Sequence, residues 1–464
     1  MLHWGAENRE TQRSVRGMKT AQQDLTTGPL GKQILVFSIP LILSNLLQVL
    51  FNMADVAVVG RFAGSVALGA VGSTTILVSL FTGFLIGLSG GVNVLVAHHF
   101  GAGDRKSLSD TVHSAALVSA AVGILLLAAG CGFAQMILEA LRTKPELIGG
   151  AVRYFRIYCL GMPALAMYNF GNAVFSAVGN TRRPLCYLSV AGVVNVVLNL
   201  LFVIVCKLDV AGVAIASIIS QYLSAVLVLA ALFRSGESYG LRLGDLRLHR
   251  TRTRAILAIG IPSGMQNGIF ALANLFIQMG VNTFSATMVA GNSAATNADA
   301  LVYDVMAAFY TACGSFIGQN YGAGKKDRIR RSFFVSMGYS FGAGLVLGLL
   351  LLLLGRQFLG LFTTDPAVIE AGMHRLTIMS LSYCVSAFMD CTIAASRGLG
   401  KSAVPMVIVI LGSCVFRILW VYTVFAWFQT IASLYLLYVF SWTITAAAEI
   451  AYFVRIYRRA TRDM

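Results

Sequence analysis

"QNYGAGKKDR" at residues 319–328 and "HHFGAGDRK" at 98–106 write the same Gly-Ala-Gly followed by charge, with Gly322 in the place of Gly101 at an offset of 221. Long apolar runs flank both copies, so each is polar punctuation between two membrane-length segments. Two more anchors share the register. "SIPLILSN" (38–45) aligns with "GIPSGMQN" (260–267), pairing Pro40 with Pro262 and Asn45 with Asn267 at an offset of 222. "VGNTRRP" (178–184) aligns with "LGKSAVP" (399–405), pairing Pro184 with Pro405 at 221. The chain is a duplication. In each copy the glycines supply the left-handed backbone that ends a helix, and the charge that follows anchors the turn in water.

Composition sets the class. Of 464 residues, 57% are hydrophobic and 12% charged, about half the charge of a soluble domain. Apolar stretches reach the roughly 20 residues that a helix needs to cross a bilayer. Reading them against the polar breaks predicts an all-α integral membrane protein with twelve transmembrane helices. The spans are 34–59, 66–98, 113–139, 151–178, 185–206, 210–233, 256–281, 290–320, 332–355, 370–397, 404–427 and 430–454. The organisation is a tail (1–32), a six-helix lobe (33–233), a basic linker (234–255), a second six-helix lobe (256–454) and a tail (455–464). Six helices per lobe is an even number, so both lobes have one orientation and a pseudo-two-fold axis along the membrane normal, an arrangement transporters use.

Sidedness follows from Lys and Arg. The tails and even-to-odd loops carry Arg9, Arg13, Arg16, Lys19, Lys32, Arg105, Lys106, Arg182, Arg183, the run Arg234–Arg254, Lys325–Arg331, Lys401 and Arg455–Arg462. The other face has few, among them Arg61, Arg142, Lys144, Lys207 and Arg356. By the positive-inside rule both termini are cytoplasmic, and a multi-pass protein of a prokaryotic inner membrane is expected. The net charge of +16 is accounted for by topology, so no nucleic-acid partner is expected. The polar N-terminal tail contains no signal-peptide core. The eight cysteines lie in apolar segments with no paired spacing, which suggests neither a disulfide framework nor a zinc site.

Some motifs look chemical. "LSGG" (88–91) and "GLGKS" (398–402) imitate nucleotide-binding signatures, but the second lacks the upstream glycine, with Ala395 in its place, and follows an apolar helix rather than a strand. His98-His99 sits at a helix end without a ligand set and reads as an interfacial pair. No nucleophile–base arrangement stands out; no enzyme and no cofactor are expected.

The polar residues inside the membrane carry the functional reading, because an ionisable group there is costly. On the first helix Asn45, Gln48, Asn52 and Asp55 fall within an arc of about 80° at 100° per residue. On the seventh, Asn267, Asn274 and Gln278 fall within about 40°. Together with Asn169 on the fourth helix they are expected to line a central cavity; the alternative is that they join helices by hydrogen bonds. Asn195 and Asn199 share one face of the fifth helix, and the sixth carries Ser217. With Asp55 they form an oxygen set able to hold a bare cation; the same carboxylate can carry a proton instead. In the second half Asp304 and Asp390 are further cavity candidates. Asp390 lies about 11 Å and Arg417 about 20 Å from the basic ends of their helices at 1.5 Å per residue, within reach of a structural ion pair.

The chain resembles the multidrug and toxic compound extrusion (MATE) family from about Asp24 onward. "DLTTGPLGKQILVFSIPLILSNLLQVLFNMADVAVVGRFAG" (24–64), "GQNYGAGKKDRIRRS" (318–332) and "AASRGLGKSAVP" (394–405) carry the resemblance. It implies a two-lobe, V-shaped secondary transporter that exports cationic or amphipathic compounds in exchange for Na⁺ or H⁺. In prokaryotic members an aspartate near the outer end of the first helix is the cation site, with two polar residues on the fifth helix and a hydroxyl on the sixth. These fall on Asp55, Asn195, Asn199 and Ser217. The seventh-helix carboxylate of the NorM-type branch is missing between 256 and 281. Related superfamily members flip lipid-linked oligosaccharides, which is the alternative function. A monomer embedded in lipid is expected.

Overall fold

The computed structural model describes residues 24–141, 143–462 and 464, and among them there is no strand. The basic residues Arg9, Arg13, Arg16, Lys19 and Arg142, and most of the N-terminal tail, lie outside the described residues.

Among the described residues twelve spans are present in the expected order. The first half comprises Leu30–Val58, Gly64–Gly101, Arg105–Ala140, a fourth span in two pieces, Arg182–Leu200 and Asp209–Phe233. The second comprises Arg250–Val281, Ala286–Gly322, Lys326–Leu359, Pro366–Gly398, an eleventh span over Ala403–Phe428 and Ile431–Ala460. Eleven of these are single helices long and apolar enough to cross a membrane. The fourth, expected as one helix over 151–178, begins earlier and is broken. Pro145–Cys159 and Met162–Ala177 meet at Leu160–Gly161. Pro163 has no N–H to give to the preceding turn, so Leu160 and Gly161 close tight turns onto Ile157 and Tyr158 instead.

Two spans end in π turns that apolar periodicity does not reveal. The first helix continues as Val59–Ala63 and the fifth as Leu201–Val205, and the two turns touch. The repeat copies the second of them at Val421–Phe425 in the eleventh span.

The Gly-Ala-Gly turns do more than end a helix. Gly103 and Gly324 are left-handed, with φ of 69° and 67°. Gly101 and Gly322 face the opposite half: a Cβ on Gly101 would strike the main chain of Gln319, and one on Gly322 that of His98. The first glycine of each motif therefore lets the second and eighth helices cross. Hydrogen bonds between the halves lie between the depth of Asn45 and Asn267 and the basic end, where the described termini lie. Leu50, Met53 and Val56, farther along the first helix, are exposed, as are Leu35, Ile39 and Leu43 nearer the basic end.

Candidate functional site

Asp55 stands one turn before the first π turn, and Asn199 two residues before the second. Turns of this kind often occur at functional sites. Asn199 Nδ2 donates to Asp55 Oδ1 and also lies 3.2 Å from Asn195 Oδ1. Ser217 Oγ donates to the other carboxylate oxygen, Oδ2, at 3.3 Å. Three helices thus bring the four residues of the expected cation set together. Asn195, Asn199 and Ser217 are buried, and Asn199 Oδ1 has no hydrogen-bond partner. A buried amide oxygen without a donor is costly. Beside a carboxylate and a hydroxyl, it is an acceptor suited to a hard cation or to a proton-bearing group.

The set opens onto a cavity of about 380 Å³ within the first half. Gln48, Asn52, Asp55, Asn169, Asn195 and Ser217 line it, with Tyr154, Tyr158 and Tyr168. No Lys or Arg is among the lining residues. Sequence reasoning missed the tyrosines. Tyr154 and Tyr158 stack at 6.0 Å; both fall inside the expected fourth span, where aromatic residues in an apolar run give no sign of lining a cavity.

A second cavity, about 310 Å³, lies in the other half and is lined by Asn267, Asn274, Asp390, Tyr303, Tyr310 and Arg397 among others. Asp390 accepts from the Tyr303 hydroxyl at 2.7 Å. The Asp390–Arg417 pair is not made. Arg417 is fully buried and donates to Asn274 Oδ1 and Ser441 Oγ, each at 3.2 Å. Its guanidinium lies 4.6 Å from both the Phe270 and Tyr438 rings. The buried ion pair of this half is instead Arg375–Asp299, at 2.5 Å. Asp299 also accepts from the Tyr383 hydroxyl, and Arg375 donates to Asn292 at 3.0 Å. Arg375 was not anticipated, although one arginine in "MHRLTIMSLS" (373–382) amid apolar residues is a signal for a buried partner.

Three expected cavity residues have joining roles. Asn45 Nδ2 donates to the Asp304 carbonyl at 2.9 Å, and Asn267 Nδ2 to the Gly83 carbonyl at 3.0 Å. Both bonds cross between the halves. Gln278 pairs with Asn282 at 2.8 Å and Asn292 at 3.4 Å. Asp304 is half-buried and takes part in the first crossing bond through its main chain.

Residues 40–201, and again 262–423, match the profile of the MatE family. The chain belongs to the MatE family. The two matches are offset by 222 (262 minus 40), the register of the repeat. MatE proteins are transporters, not enzymes. This MatE chain is 27% identical over 361 residues to the probable multidrug resistance protein YpnP of Bacillus subtilis, covering 78% of this chain and 80% of that one. It is 24% identical over 385 residues to a probable multidrug resistance protein NorM of Thermotoga maritima, with 81% and 82% covered. An FAD transporter of Shewanella oneidensis is 23% identical over 363 residues, with 77% and 80% covered. A solved MATE structure in complex with MaL6 superposes with a TM-score of 0.88 at 20% identity, covering 94% of this chain and 98% of that one. The likeness shows a shared twelve-helix fold.

Proposed function

We propose that this MatE protein is a secondary active efflux transporter, exchanging cationic or amphipathic drug-like compounds for Na⁺ or H⁺ by alternating access. One observation carries the reading: a carboxylate, Asp55, faces a cavity without basic lining and is held by Asn199 and Ser217. An ion drives export only through different affinities for two conformations. Asp55 sits next to two π turns from different helices, a place where a small rearrangement changes its oxygen partners. The names of YpnP and NorM support drug-like substrates. The distribution of Lys and Arg supports cytoplasmic termini, and the working unit in this reading is a monomer in an inner membrane. A flippase for lipid-linked anions calls for a cationic cavity; Arg397 in the second cavity is accompanied there by Asp390, so the observations favour export of cations.

The test is efflux of a cationic dye from proteoliposomes under an imposed Na⁺ or pH gradient. Wild type is expected to respond to one gradient, which names the ion. Asp55→Asn, inserted and folded as wild type, is expected to lose the response. Normal gradient-driven efflux by Asp55→Asn removes Asp55 from the coupling site.

A further inference from the structure

The repeat places two side chains, His98 and Gln319, at equivalent positions of the second and eighth helices, at an offset of 221. Each reaches across to the other half. His98 Nε2 donates to the Gly398 carbonyl at 2.7 Å, and Gln319 Nε2 to the Ala177 carbonyl at 2.6 Å. The acceptors share that offset and occupy the last turns of the tenth and fourth helices.

Both helix ends have the same pattern of internal bonds. Leu399, Gly400 and Lys401 N–H groups go to the Ala395, Arg397 and Ser396 carbonyls. Val178, Gly179 and Asn180 N–H groups go to Val174, Ser176 and Phe175 in the same way. That pattern leaves the carbonyls of Gly398 and Ala177 without a partner from their own helices. The opposite half supplies one to each.

Between the two bonds, Ser315 donates to Asn93 Oδ1 at 3.1 Å. In the register of His98 and Gln319 these residues are one position from equivalence (222 against 221), so they add a single cross-half bond beside the two-fold pair. His98 packs on the Tyr321 ring, with centroids 4.9 Å apart. Gln319 is fully buried, and its Oε1 accepts from the Leu25 N–H at 3.3 Å.

We propose that His98 and Gln319 are a two-fold latch that holds the basic end closed, and that opening this end requires both cross-capping bonds to break together. Both are positioning residues and touch neither the Asp55 set nor its cavity. The inference rests on the alternating-access reading, but its test involves neither substrate nor ion. If dye efflux fails while the latch test succeeds, the substrate assignment falls and the latch stands.

The test measures distances across both ends of the full-length protein in lipid nanodiscs. Genetically encoded spin labels leave the eight native cysteines in place. One pair occupies exposed positions Arg182 and Lys401 at the basic end, the other Lys144 and Thr364 at the opposite end. His98→Ala with Gln319→Ala is expected to gain a longer basic-end distance together with a shorter opposite-end distance. The population ratio should shift roughly fivefold for each bond removed. His98→Gln, which installs the donor the other half already uses, is expected to keep wild-type distances. The proposal is overturned if the double variant keeps wild-type distances, or if its basic end widens while the opposite end stays unchanged, which is loosened packing. It is overturned too if the exchange variant His98→Gln/Gln319→His, with a donor at both positions, opens as far as the double alanine variant.

Discussion

Asn45 and Asn267 make one hydrogen bond twice. The two amides are repeat partners, each donating to a main-chain carbonyl on the facing half, and their acceptors, Asp304 and Gly83, are repeat partners as well. Replacing either by Ala leaves a helix carbonyl without its side-chain donor. Each substitution is expected to reduce stability by about 1 kcal/mol. With no shared partner the two effects should add, read as successive decreases in thermal midpoint in detergent.

Within the Asp55 set the donors are unequal. Asn199 donates to Asp55 and lies between it and Asn195, whereas Ser217 bonds at 3.3 Å. Asn199→Ala is expected to raise the half-saturating concentration of the coupling ion by roughly tenfold or more, and Ser217→Ala by only a few-fold. Efflux titrated against the driving ion measures both. Equal effects would show that Asn199 has no special position.

Arg375 and Asp299 test the second half. Arg375→Met leaves the Asp299 carboxylate buried without its cation and is expected to destabilise by about 3–5 kcal/mol. Adding Asp299→Asn removes the orphan charge and should recover a large part of the loss. The check is the yield of folded protein and its thermal midpoint, single variant against double.

The segment before the first helix is tied to the second half. Arg328 donates to the carbonyls of Leu25, Thr27 and Gly28 at 2.8–3.1 Å, and Lys325 Nζ to Thr26 O at 2.8 Å. Partial burial raises the pKa of Asp24, but hydrogen bonds from Thr26 and Thr27 and the Lys325 charge outweigh it, leaving the carboxyl below its ordinary 3.8. A depressed carboxylate stabilises the fold above its unfolded pKa, and that contribution disappears as pH falls through the folded value. A spin label at exposed Lys32 should stay immobile from neutral pH down to the usual carboxylate range and loosen below it. Arg328→Ala should loosen it already at pH 7.

Much of this was legible because a membrane helix writes its burial along the chain. The twelve spans and the repeat follow from apolar run length and from shared prolines and glycines. The four residues around Asp55 are two helical faces and a hydroxyl, so periodicity finds them. What periodicity lacks is depth and partner. Asn45 shares an arc with Asp55 but lies about 15 Å nearer the basic end at 1.5 Å per residue, where the facing half takes the place of the cavity. His98 and Gln319 gave no signal: one read as an interfacial histidine, the other as part of a turn motif. Their roles exist only once two helix ends from opposite copies of the repeat face each other across the axis. The break at Leu160–Gly161 was masked by apolar residues on both sides of it.

Cross-capping also orders events in time as the protein is made. The Ala177 carbonyl waits for Gln319, 142 residues later, and His98 waits 300 residues for Gly398. At ~5–20 residues per second the fourth helix is in the membrane for roughly 7–30 s before its last turn has a partner. A first half synthesised alone would lack the Gln319 donor for the last turn of its fourth helix.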